Sequence, residues 1–310
     1  MRAHGSTIRA FAEDQTVFVA IILPAGGNSA RSPLSNGVSP AYWPTMPEGH
    51  TIHRAARDQR PMLSGQVLDI ASPQGRFWEG AALIDGQLCT GIEAYGKHLL
   101  YGFANDLTLH IHLGLFGQFR TSKLPAAEPR GAVRVRMVSQ SHVVDINGPN
   151  TCEVLDGPQV AALIGRIGPD VLRADADPER AWARITRSRV TIGQLLMDQS
   201  VIAGIGNIYR SEILWRQHVH PKTPGTAITR AVFDAIWADA VHLLQIGVEK
   251  NAIITVSTAK PGRTRYRERV NIFGKPNCPA CAGPIERFEL AGRRAFVCAG
   301  CQLPPTDELG

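Results

Sequence analysis

The chain has 310 residues, of which 44% are hydrophobic and 19% are charged, so a largely disordered protein is excluded and a sizeable buried core is possible. Basic side chains outnumber acidic ones by 33 to 27, and the formal net charge of +6 hints at a polyanionic partner. The longest uninterrupted apolar run has seven residues (17–23), far short of the roughly 20 that a membrane helix needs. The length predicts two or three domains.

Residues 1–46 differ in composition from the rest of the chain. Gly, Ser, Asn and Pro recur from residue 26 onwards and interrupt any regular element, so we predict a disordered extension. A signal peptide is an alternative, because Arg2 and Arg9 precede the apolar run. The acidic residues Glu13 and Asp14 shortly before that run argue against it.

A β-rich domain is predicted over residues 47–165. A short helix at 51–59 is followed by short β-like runs that Gly, Asp-Gly or Pro turns separate. The predicted strands lie at 67–70, 82–84, 98–101, 107–112, 118–120 and 133–138. This spacing is typical of a sandwich or barrel.

A helical domain is predicted over residues 166–256. Apolar residues follow helical spacing at 179–187, 192–203, 207–217 and 230–249. Two glycines at 204 and 206 predict a tight turn into the third helix, whose free backbone N–H groups could bind an anion. Asn207 is predicted to cap this helix, and a cap with no further role is the simpler interpretation.

Residues 257–310 are predicted to be a basic linker and a zinc finger. Between 257 and 294, nine basic and three acidic residues produce an excess equal to that of the whole chain. A solvated face or a disordered tail would have such a run, but a phosphate-binding surface is the sharper interpretation. Residues 285–290 and 294–297 flank Ala-Gly and predict a β-hairpin with Arg293 near its tip.

Four of the six cysteines form two Cys-x2-Cys pairs with sixteen residues between them: Cys278, Cys281, Cys298 and Cys301. Each pair can direct two thiolates at one tetrahedral ion, so the spacing predicts one structural Zn²⁺. A pair of disulfides is the alternative, although nothing else in the chain indicates secretion. Cys89 and Cys152 are predicted to be buried thiols.

Four motifs, in this order, resemble the Fpg/Nei DNA glycosylases, on the endonuclease VIII side. They are residues 46–53 (MPEGHTIH), 95–100 (YGKHLL), 196–209 (LMDQSVIAGIGNIY) and 291–298 (AGRRAFVC). The resemblance covers residues 47–302. It implies an α+β multidomain protein with an N-terminal β-sandwich, a helix–two-turn–helix domain and a C-terminal β-hairpin zinc finger. It further implies a bifunctional DNA glycosylase and abasic-site lyase of base excision repair, expected to be a cytoplasmic, nucleoid-associated monomer that binds damaged DNA and no membrane.

The resemblance also implies catalytic roles. Pro47 matches the family's N-terminal proline nucleophile, and Glu48 matches the neighbouring catalytic acid. Lys97 matches the hairpin lysine that assists elimination. Arg293, five residues before Cys298, matches the zinc-finger arginine.

Contacts with DNA are implied at five further positions. Arg166 resembles a phosphate-contacting arginine, and Asn207 resembles the signature asparagine that holds phosphate. A base that leaves the stack needs a side chain to fill the gap. Leu115 and Phe116, in the segment 112–117 (HLGLFG), are the candidates, with plain strand core as the alternative. His112, which begins this segment, is predicted to bind DNA as well.

This chemistry explains why a terminal proline matters. A glycosylase that also cuts the strand needs an amine that attacks sugar C1′. A chain-terminal amine, with a pKa near 7.7–8.0, is roughly a quarter free near pH 7.4, against about 0.1% for lysine. An internal Pro47 has no free amine, so we predict that translation starts at Met46, that this Met is removed, and that residues 1–45 are a start-site misassignment.

Two features favour oxidised pyrimidines over 8-oxoguanine. Residues 145–152 lack the arginine and phenylalanine with which the guanine-specific branch fills the gap, and residues 258–269 are short for its base-capping loop. The alternatives are an 8-oxoguanine-preferring glycosylase and a non-catalytic damaged-DNA-binding protein with a blocked Pro47. A zinc-ribbon transcription or RNA factor would explain residues 278–301 alone.

Overall fold

The computed structural model describes residues 46–257 and 266–305, and the predictions for residues 1–45 lie outside this range. Its N-terminal part contains two helices and two four-stranded antiparallel sheets. The helices are α1 (Gly49–Leu63) and α2 (Trp78–Ile84). The strands are β1 (Asp69–Ala71), β2 (Cys89–Tyr95), β3 (His98–Phe103), β4 (Thr108–His112), β5 (Gln118–Lys123), β6 (Val133–Val138), β7 (His142–Asn147) and β8 (Thr151–Leu155).

The two sheets share one core, which confirms the predicted β-sandwich. Their strand orders are β1-β6-β7-β5 and β2-β3-β4-β8. In β6, buried Val133, Val135 and Met137 alternate with partly exposed neighbours, the period of two that places every second side chain on the inner face. The side chains of Val135 and Met137 pack in the same cluster as Ile92 and Tyr101 of the other sheet.

A predicted strand at 82–84 is wrong, because these residues end helix α2. Ala81 and Ile84 are buried one helical turn apart, whereas the sequence run Ala-Leu-Ile is too short to show which period it follows. Strands β2, β7 and β8 were not predicted. Most of their residues lie between clearer turn signals, but polar residues interrupt their apolar pattern.

The helical part comprises α3 (Gly157–Arg166), α4 (Pro178–Ile185), α5 (Ile192–Leu195), α6 (Asn207–Arg216) and α7 (Arg230–Lys250), with a 3-10 turn at Gly225–Ala227. The predicted helix at 192–203 is wrong, because α5 stops at Leu195. Asp198 accepts hydrogen bonds from the backbone and hydroxyl of Ser200, and Gln199 bonds to the backbone of Ile205 and Gly204. These side chains stabilise turns in place of a helix.

Helix α7 has the length and apolar composition that a membrane span would require. Seven of its residues are buried, and Phe233, Ile236 and Leu244 belong to the core of the helical part. That burial is typical of a core helix. This packing supports the prediction that no membrane is involved. The absence of a membrane partner stays a prediction.

The C-terminal part is a strand pair beside the cysteine cluster. A 3-10 turn at Tyr266–Glu268 precedes β9 (Ile285–Leu290) and β10 (Arg293–Cys298). Ala291 and Gly292 both have positive φ, 53° and 67°, as a two-residue hairpin turn requires. The predicted hairpin is confirmed, and Arg293 is the first residue after its turn. The predicted domain limits at 165 and 256 stay predictions.

Candidate active site

The N-terminus of α6 binds a carboxylate of the chain itself. Glu48, only 2% exposed, accepts hydrogen bonds from the backbone N–H groups of Gly206 (2.8 Å) and Ile208 (2.9 Å). A Cβ on Gly206 would lie 2.4 Å from the carboxyl carbon of Glu48, so this position requires glycine. The anion site predicted at this helix start therefore exists, and Glu48 occupies it.

Asn207 does not cap the helix, so that prediction is wrong. Gly206 is in the capping position, and the Glu48 carboxylate bonds the free N–H groups there. Asn207 instead donates its amide to the carbonyl of Arg294 (3.0 Å) and accepts from the guanidinium of Arg210. Its side chain joins α6 to β10.

The backbone next to Glu48 is fixed by close packing. The N–H of Gly49 donates to the carbonyl of Gly204 (2.8 Å), and a Cβ on Gly49 would lie 2.6 Å from the Cα of Gly204. Two backbones can approach this closely only where side chains are missing. Pro47 and Glu48 are therefore held at a defined place beside α6.

Lys97 lies in the two-residue turn between β2 and β3. The preceding Gly96 has φ of 58° and donates its N–H to the buried carboxylate of Asp170 (2.6 Å). The same carboxylate accepts from His53 Nε2 (2.7 Å) and from the Leu172 N–H (3.0 Å). Asp170 thus ties the lysine turn to α1 and to the segment after α3.

Three ionisable side chains meet beside the turn that carries Lys97. Burial raises the pKa of Glu48, and the positive charge of Lys97 and the backbone hydrogen bonds oppose that shift. Burial also lowers the pKa of Lys97, with Glu48 opposing the shift and Arg293 adding to it. The structure therefore brings Glu48, Lys97 and Arg293 close enough to interact, and burial shifts the pKa of Glu48 upward and the pKa of Lys97 downward.

Arg293 is exposed and takes its position from the strand it begins. The carbonyl of its neighbour Arg294 accepts from both Asn207 and Arg210. Arg210 is 1% exposed, and burial lowers its pKa to about 10. This buried contact fixes the start of β10 against α6.

A cavity of about 470 Å³ opens beside Pro47. Its wall includes residues of α1, of the β5 region, of α6 and of the chain after α7, among them His50, Gln118, Ile208 and Asn251. Ile208 also donates its N–H to Glu48. The predicted nucleophile therefore lines a cavity large enough for a small ligand, and the predicted acid is the next residue in the chain.

The buried imidazole of His50 makes stability depend on pH. Burial lowers its pKa to about 3 from the ordinary 6.5, so the folded protein binds this proton less tightly than the unfolded chain. The contribution of His50 to the free energy of unfolding is fully present above pH 6.5 and is lost as the pH falls below that value. Because of His50, we expect the free energy of unfolding to fall by about 2 kcal/mol when the pH is lowered from 7 to 5. Urea titrations of the parent and His50→Phe at both pH values measure this. An equal loss in the two proteins would contradict it.

Leu115 and Phe116 lie in the turn between β4 and β5. They are 39% and 70% exposed, so the interpretation as strand core is wrong. His112 ends β4 just before this turn, and its Nδ1 accepts from the Gly114 N–H (3.2 Å). The turn presents two large apolar side chains at the surface, an arrangement suited to insertion into the gap that an extruded base would leave.

Arg166 is exposed at the end of α3 and lies near the His98 ring. Burial lowers the pKa of His98 to about 3, with smaller contributions from His112, His110, Lys97 and Arg166. The structure thus places Arg166 and His112 on the Lys97 side of the molecule, in one basic neighbourhood. The exposed guanidinium of Arg166 could bind a phosphate there.

The four sulfurs of Cys278, Cys281, Cys298 and Cys301 lie within 4.8 Å of one another. The Sγ–Sγ distances are 3.7 Å for Cys278–Cys301 and 3.3 Å for Cys281–Cys298, too long for a disulfide bond of about 2.05 Å. Sulfurs about 2.3 Å from a tetrahedral ion would be roughly 3.8 Å apart. The residues therefore fit one metal ion. Of the other two thiols, Cys89 is buried as predicted, whereas Cys152 is only partly so.

Several residues of the site were not predicted. Asp170, Arg210 and Glu212 are buried charged residues, and Glu212 accepts hydrogen bonds from Thr255 and from the backbone of residues 271–273. Their one sequence signal is a charge within an otherwise apolar segment. Each joins elements far apart in the chain, which spacing along the sequence does not show.

The sandwich, the helical part and the cysteine-bearing hairpin, arranged around Pro47 and Glu48, define a DNA glycosylase fold. Residues 46–151 match the Formamidopyrimidine-DNA glycosylase N-terminal domain, and residues 167–258 match the Formamidopyrimidine-DNA glycosylase H2TH domain. Endonuclease 8 1 of Mycobacterium tuberculosis is 42% identical over 268 residues, with 83% of this chain and 100% of that protein covered. Endonuclease 8 of Salmonella typhi is 31% identical with the same coverage.

The fold is also found among solved structures. A complex between Lactococcus lactis Fpg and DNA containing an abasic site has a TM-score of 0.70, with 23% identity over 83% of this chain and 100% of that one. The chain belongs to the Fpg/Nei family, the DNA-repair glycosylases with abasic-site lyase activity.

Proposed function

We propose that the chain removes oxidised bases from DNA, with pyrimidines favoured, through a Schiff base on the amine of Pro47, and then cuts the strand by elimination. The observation that supports this best is the placement of Pro47. It lines the 470 Å³ cavity, and the next residue, Glu48, is held at the α6 N-terminus beside Lys97. A nucleophile at the cavity is thus followed directly in the chain by a proton donor, which interacts with a second amine.

The reaction follows from these groups. The Pro47 amine attacks C1′, the N-glycosidic bond breaks with its electron pair going to the base, and the base leaves with a proton. Glu48, whose raised pKa favours the acid, protonates the ring oxygen as the sugar opens to a cationic iminium. Loss of a C2′ proton then expels the 3′-phosphate. Water hydrolyses the iminium and frees the amine.

Lys97 suits the proton transfers of the elimination. Burial and the charge of Arg293 lower its pKa, so more of the free amine is present near neutral pH than on an exposed lysine. When protonated, it can bind a phosphate. Arg293, exposed at the start of β10, is proposed to stabilise DNA phosphates next to the reacting sugar.

Damaged DNA is the proposed partner. Arg166, His112 and Asn207 are proposed to contact the backbone, and the solved Lactococcus lactis structures with this fold are described as DNA complexes. Asn207 bonds to Arg294 and Arg210, which leaves one amide hydrogen for phosphate.

Leu115 and Phe116 are proposed to fill the gap that the extruded base leaves. We expect the double variant Leu115→Ala/Phe116→Ala to lower excision from duplex DNA by about 10-fold or more, since unstacking costs a few kcal/mol. Excision from single-stranded DNA should change much less, because no stack is opened. Rates on matched duplex and single-stranded substrates measure this. Equal losses on both would contradict a wedge.

The preference for pyrimidines is supported by the turn between β7 and β8. It is short and lacks large side chains. Its Asn150 packs closely on Gly114, because a Cβ added to that glycine would lie only 2.7 Å from the Asn150 Cβ. This turn therefore has nothing to insert into the stack beside Leu115. Competition between thymine glycol and 8-oxoguanine duplexes tests the preference, and faster 8-oxoguanine removal would refute it.

A non-catalytic damage-binding protein remains the second candidate, because residues 1–46 would block Pro47. Borohydride trapping on abasic DNA separates the two functions. The form that begins at Pro47 should give a covalent adduct, and Pro47→Gly combined with Glu48→Gln should abolish it. Binding of abasic DNA without any adduct from this form would favour the binding protein.

We propose Zn²⁺ as the ion of the four-sulfur site, because four thiolates in a tetrahedral arrangement suit that ion and it has no redox chemistry of its own. The ion would be structural, since no ligand position is left open. A cytoplasmic, nucleoid-associated monomer is proposed as well. Metal analysis and light scattering of the purified protein test the metal and the oligomeric state.

A further inference from the structure

Three histidines and one glutamate share the outer face of the sheet β2-β3-β4-β8. The register places His98 opposite His112, and it places His110 opposite Glu153. Side chains alternate between the two faces of a sheet, so these four project from the same face. Their neighbours in β3 and β4 belong to the sandwich core on the other face. The four side chains therefore lie outside that core, on the face against which α3 packs.

Hydrogen bonds connect three of these side chains in a row. His110 Nδ1 lies 2.9 Å from Glu153 Oε1, and His110 Nε2 lies 2.8 Å from His98 Nδ1. An ionised carboxylate can only accept, so His110 donates through Nδ1 and, as an uncharged ring, accepts through Nε2. His98 must then donate from Nδ1, which leaves a lone pair on its Nε2. Since His110 is only 3% exposed, the middle of this row is closed to water.

The His98 end of this row is open. Its Nε2 has no hydrogen-bond partner among the residues that the structure describes, and it is not one of the fully buried atoms. The ionisable side chains around the row come from the turn before β3, from α3 and from strands β4 and β8: Lys97, Arg166, His110, His112 and Glu153. Burial lowers the pKa of His98 to about 3, and the basic neighbours add to this shift. The free protein therefore keeps His98 uncharged near neutral pH.

We infer that Nε2 of His98 is a further contact for a DNA phosphate, with His110 and Glu153 as its positioning residues, an inference that rests on the proposed function. Phosphodiester oxygens accept hydrogen bonds and donate none, so an uncharged His98 with a lone pair at Nε2 cannot bind one. Binding must therefore add a proton from water to Nε2. The imidazolium then donates Nε2–H to the phosphate and Nδ1–H to His110, whose bond to the Glu153 carboxylate stabilises the added charge.

His112 provides a contrast on the same face, with 5.0 Å between its ring centroid and that of His98. Its Nδ1 accepts from the Gly114 N–H, so an uncharged His112 carries its hydrogen on Nε2 and can donate to phosphate as it is. The two contacts should therefore differ in pH dependence. Phosphate raises the pKa of His98 above its value in the free protein, so this contact strengthens as the pH falls, whereas a contact through His112 needs no proton uptake.

Binding without chemistry tests the inference. Protein that begins at Pro47 is titrated, at about pH 6 and about pH 8, with a duplex that carries a tetrahydrofuran abasic analogue, which it cannot cut. Calorimetry in buffers of different ionisation enthalpy measures the protons taken up. His98→Phe keeps a ring and removes both nitrogens, His98→Gln keeps an uncharged donor near Nε2, and Glu153→Gln replaces the carboxylate with an amide. Glu249→Gln, which removes the same charge from an exposed residue of α7, is the matched control.

We expect His98→Phe to bind the duplex about 3- to 10-fold more weakly than the parent at the lower pH and almost equally at the higher one, and to take up fewer protons. His98→Gln should also take up fewer protons but lose less affinity. Glu153→Gln should lower proton uptake in the parent and not in His98→Phe, whereas Glu249→Gln should change uptake in neither.

Proton uptake in both His98 variants equal to that of the parent would overturn the inference, and so would an equal loss of affinity by His98→Phe at the two pH values. Uptake in Glu153→Gln equal to that of the parent would overturn the positioning role of Glu153. Failure of the proposed function gives a different result, namely a parent protein that binds the duplex with proton uptake and excises no oxidised base.

Discussion

Protein in which residues 1–46 remain attached should form no borohydride-trapped adduct on abasic DNA, whereas protein that begins at Pro47 should form one. The nitrogen of an internal proline is an amide and cannot attack C1′. The free terminal amine has a pKa near 7.7–8.0, so roughly a quarter of it is reactive near pH 7.4. The two forms, at equal concentration, are compared by trapping on a labelled abasic duplex, and the intact mass of each is measured first.

Lys97 provides the control for this prediction, because it is the other amine beside Glu48. If an adduct appears with the longer form, Lys97→Met decides its origin. An adduct that persists in the longer form at the rate of the shorter one, with or without Lys97, would show that a free Pro47 amine is not needed. The family's N-terminal domain matches this chain from residue 46, the residue before Pro47.

The motifs around the active site could be predicted from the sequence, but their connections could not. The run 203–207 predicts a helix start that binds an anion, which the structure confirms. Its occupant, the Glu48 carboxylate, lies far earlier in the chain, and only the folded structure pairs the two. An open helix start in a sequence therefore indicates an anion site without showing whether the anion comes from a ligand or from the protein.

The same limit explains what was missed. Asp170 joins α1, the Lys97 turn and the segment after α3, and Glu212 bonds residues 271–273, so both act through contacts across the chain. The hairpin at 285–298 was predictable because its turn and alternation are local. Residues 82–84 were predicted as a strand because a short apolar run fits the strand and the helix period equally well. Residues 192–203 were predicted as one helix, but hydrogen bonds of the Asp198 and Gln199 side chains to the backbone outcompete helix formation.

Glu212 shows how such a contact positions the finger. It is fully buried on α6 and accepts from the backbone N–H groups of Asn271, Ile272 and Phe273, immediately before the first cysteine pair. The Phe273 ring packs at a tilt against Phe296 of β10, with ring centroids 4.6 Å apart. The finger therefore contacts α6 at two places, through the segment before the first cysteine pair and through β10, and the position of Arg293 depends on both contacts.

Loss of the proposed metal should strongly lower excision while the β-sandwich stays folded. Binding of a structural Zn²⁺ is worth about 10–16 kcal/mol in isolated fingers, comparable to the whole net stability of a domain. Cys278 and Cys298 belong to the helical core, and Gln302 links the Cys298 N–H to the carbonyl of Val219. Without the ion these contacts loosen, so the start of β10 is no longer held near Lys97.

We expect Cys298→Ser, or treatment with a strong chelator, to lower excision and DNA affinity by about 100-fold or more. The circular dichroism of the sheets should persist, because the sandwich core contains none of the finger residues. Cys152→Ser is the matched control, a partly buried thiol on β8 that should change neither rate nor affinity. Full activity of Cys298→Ser with no bound metal would show that the sulfurs do not hold the finger in place, and that docking on α6 through Asn207 and Glu212 is sufficient.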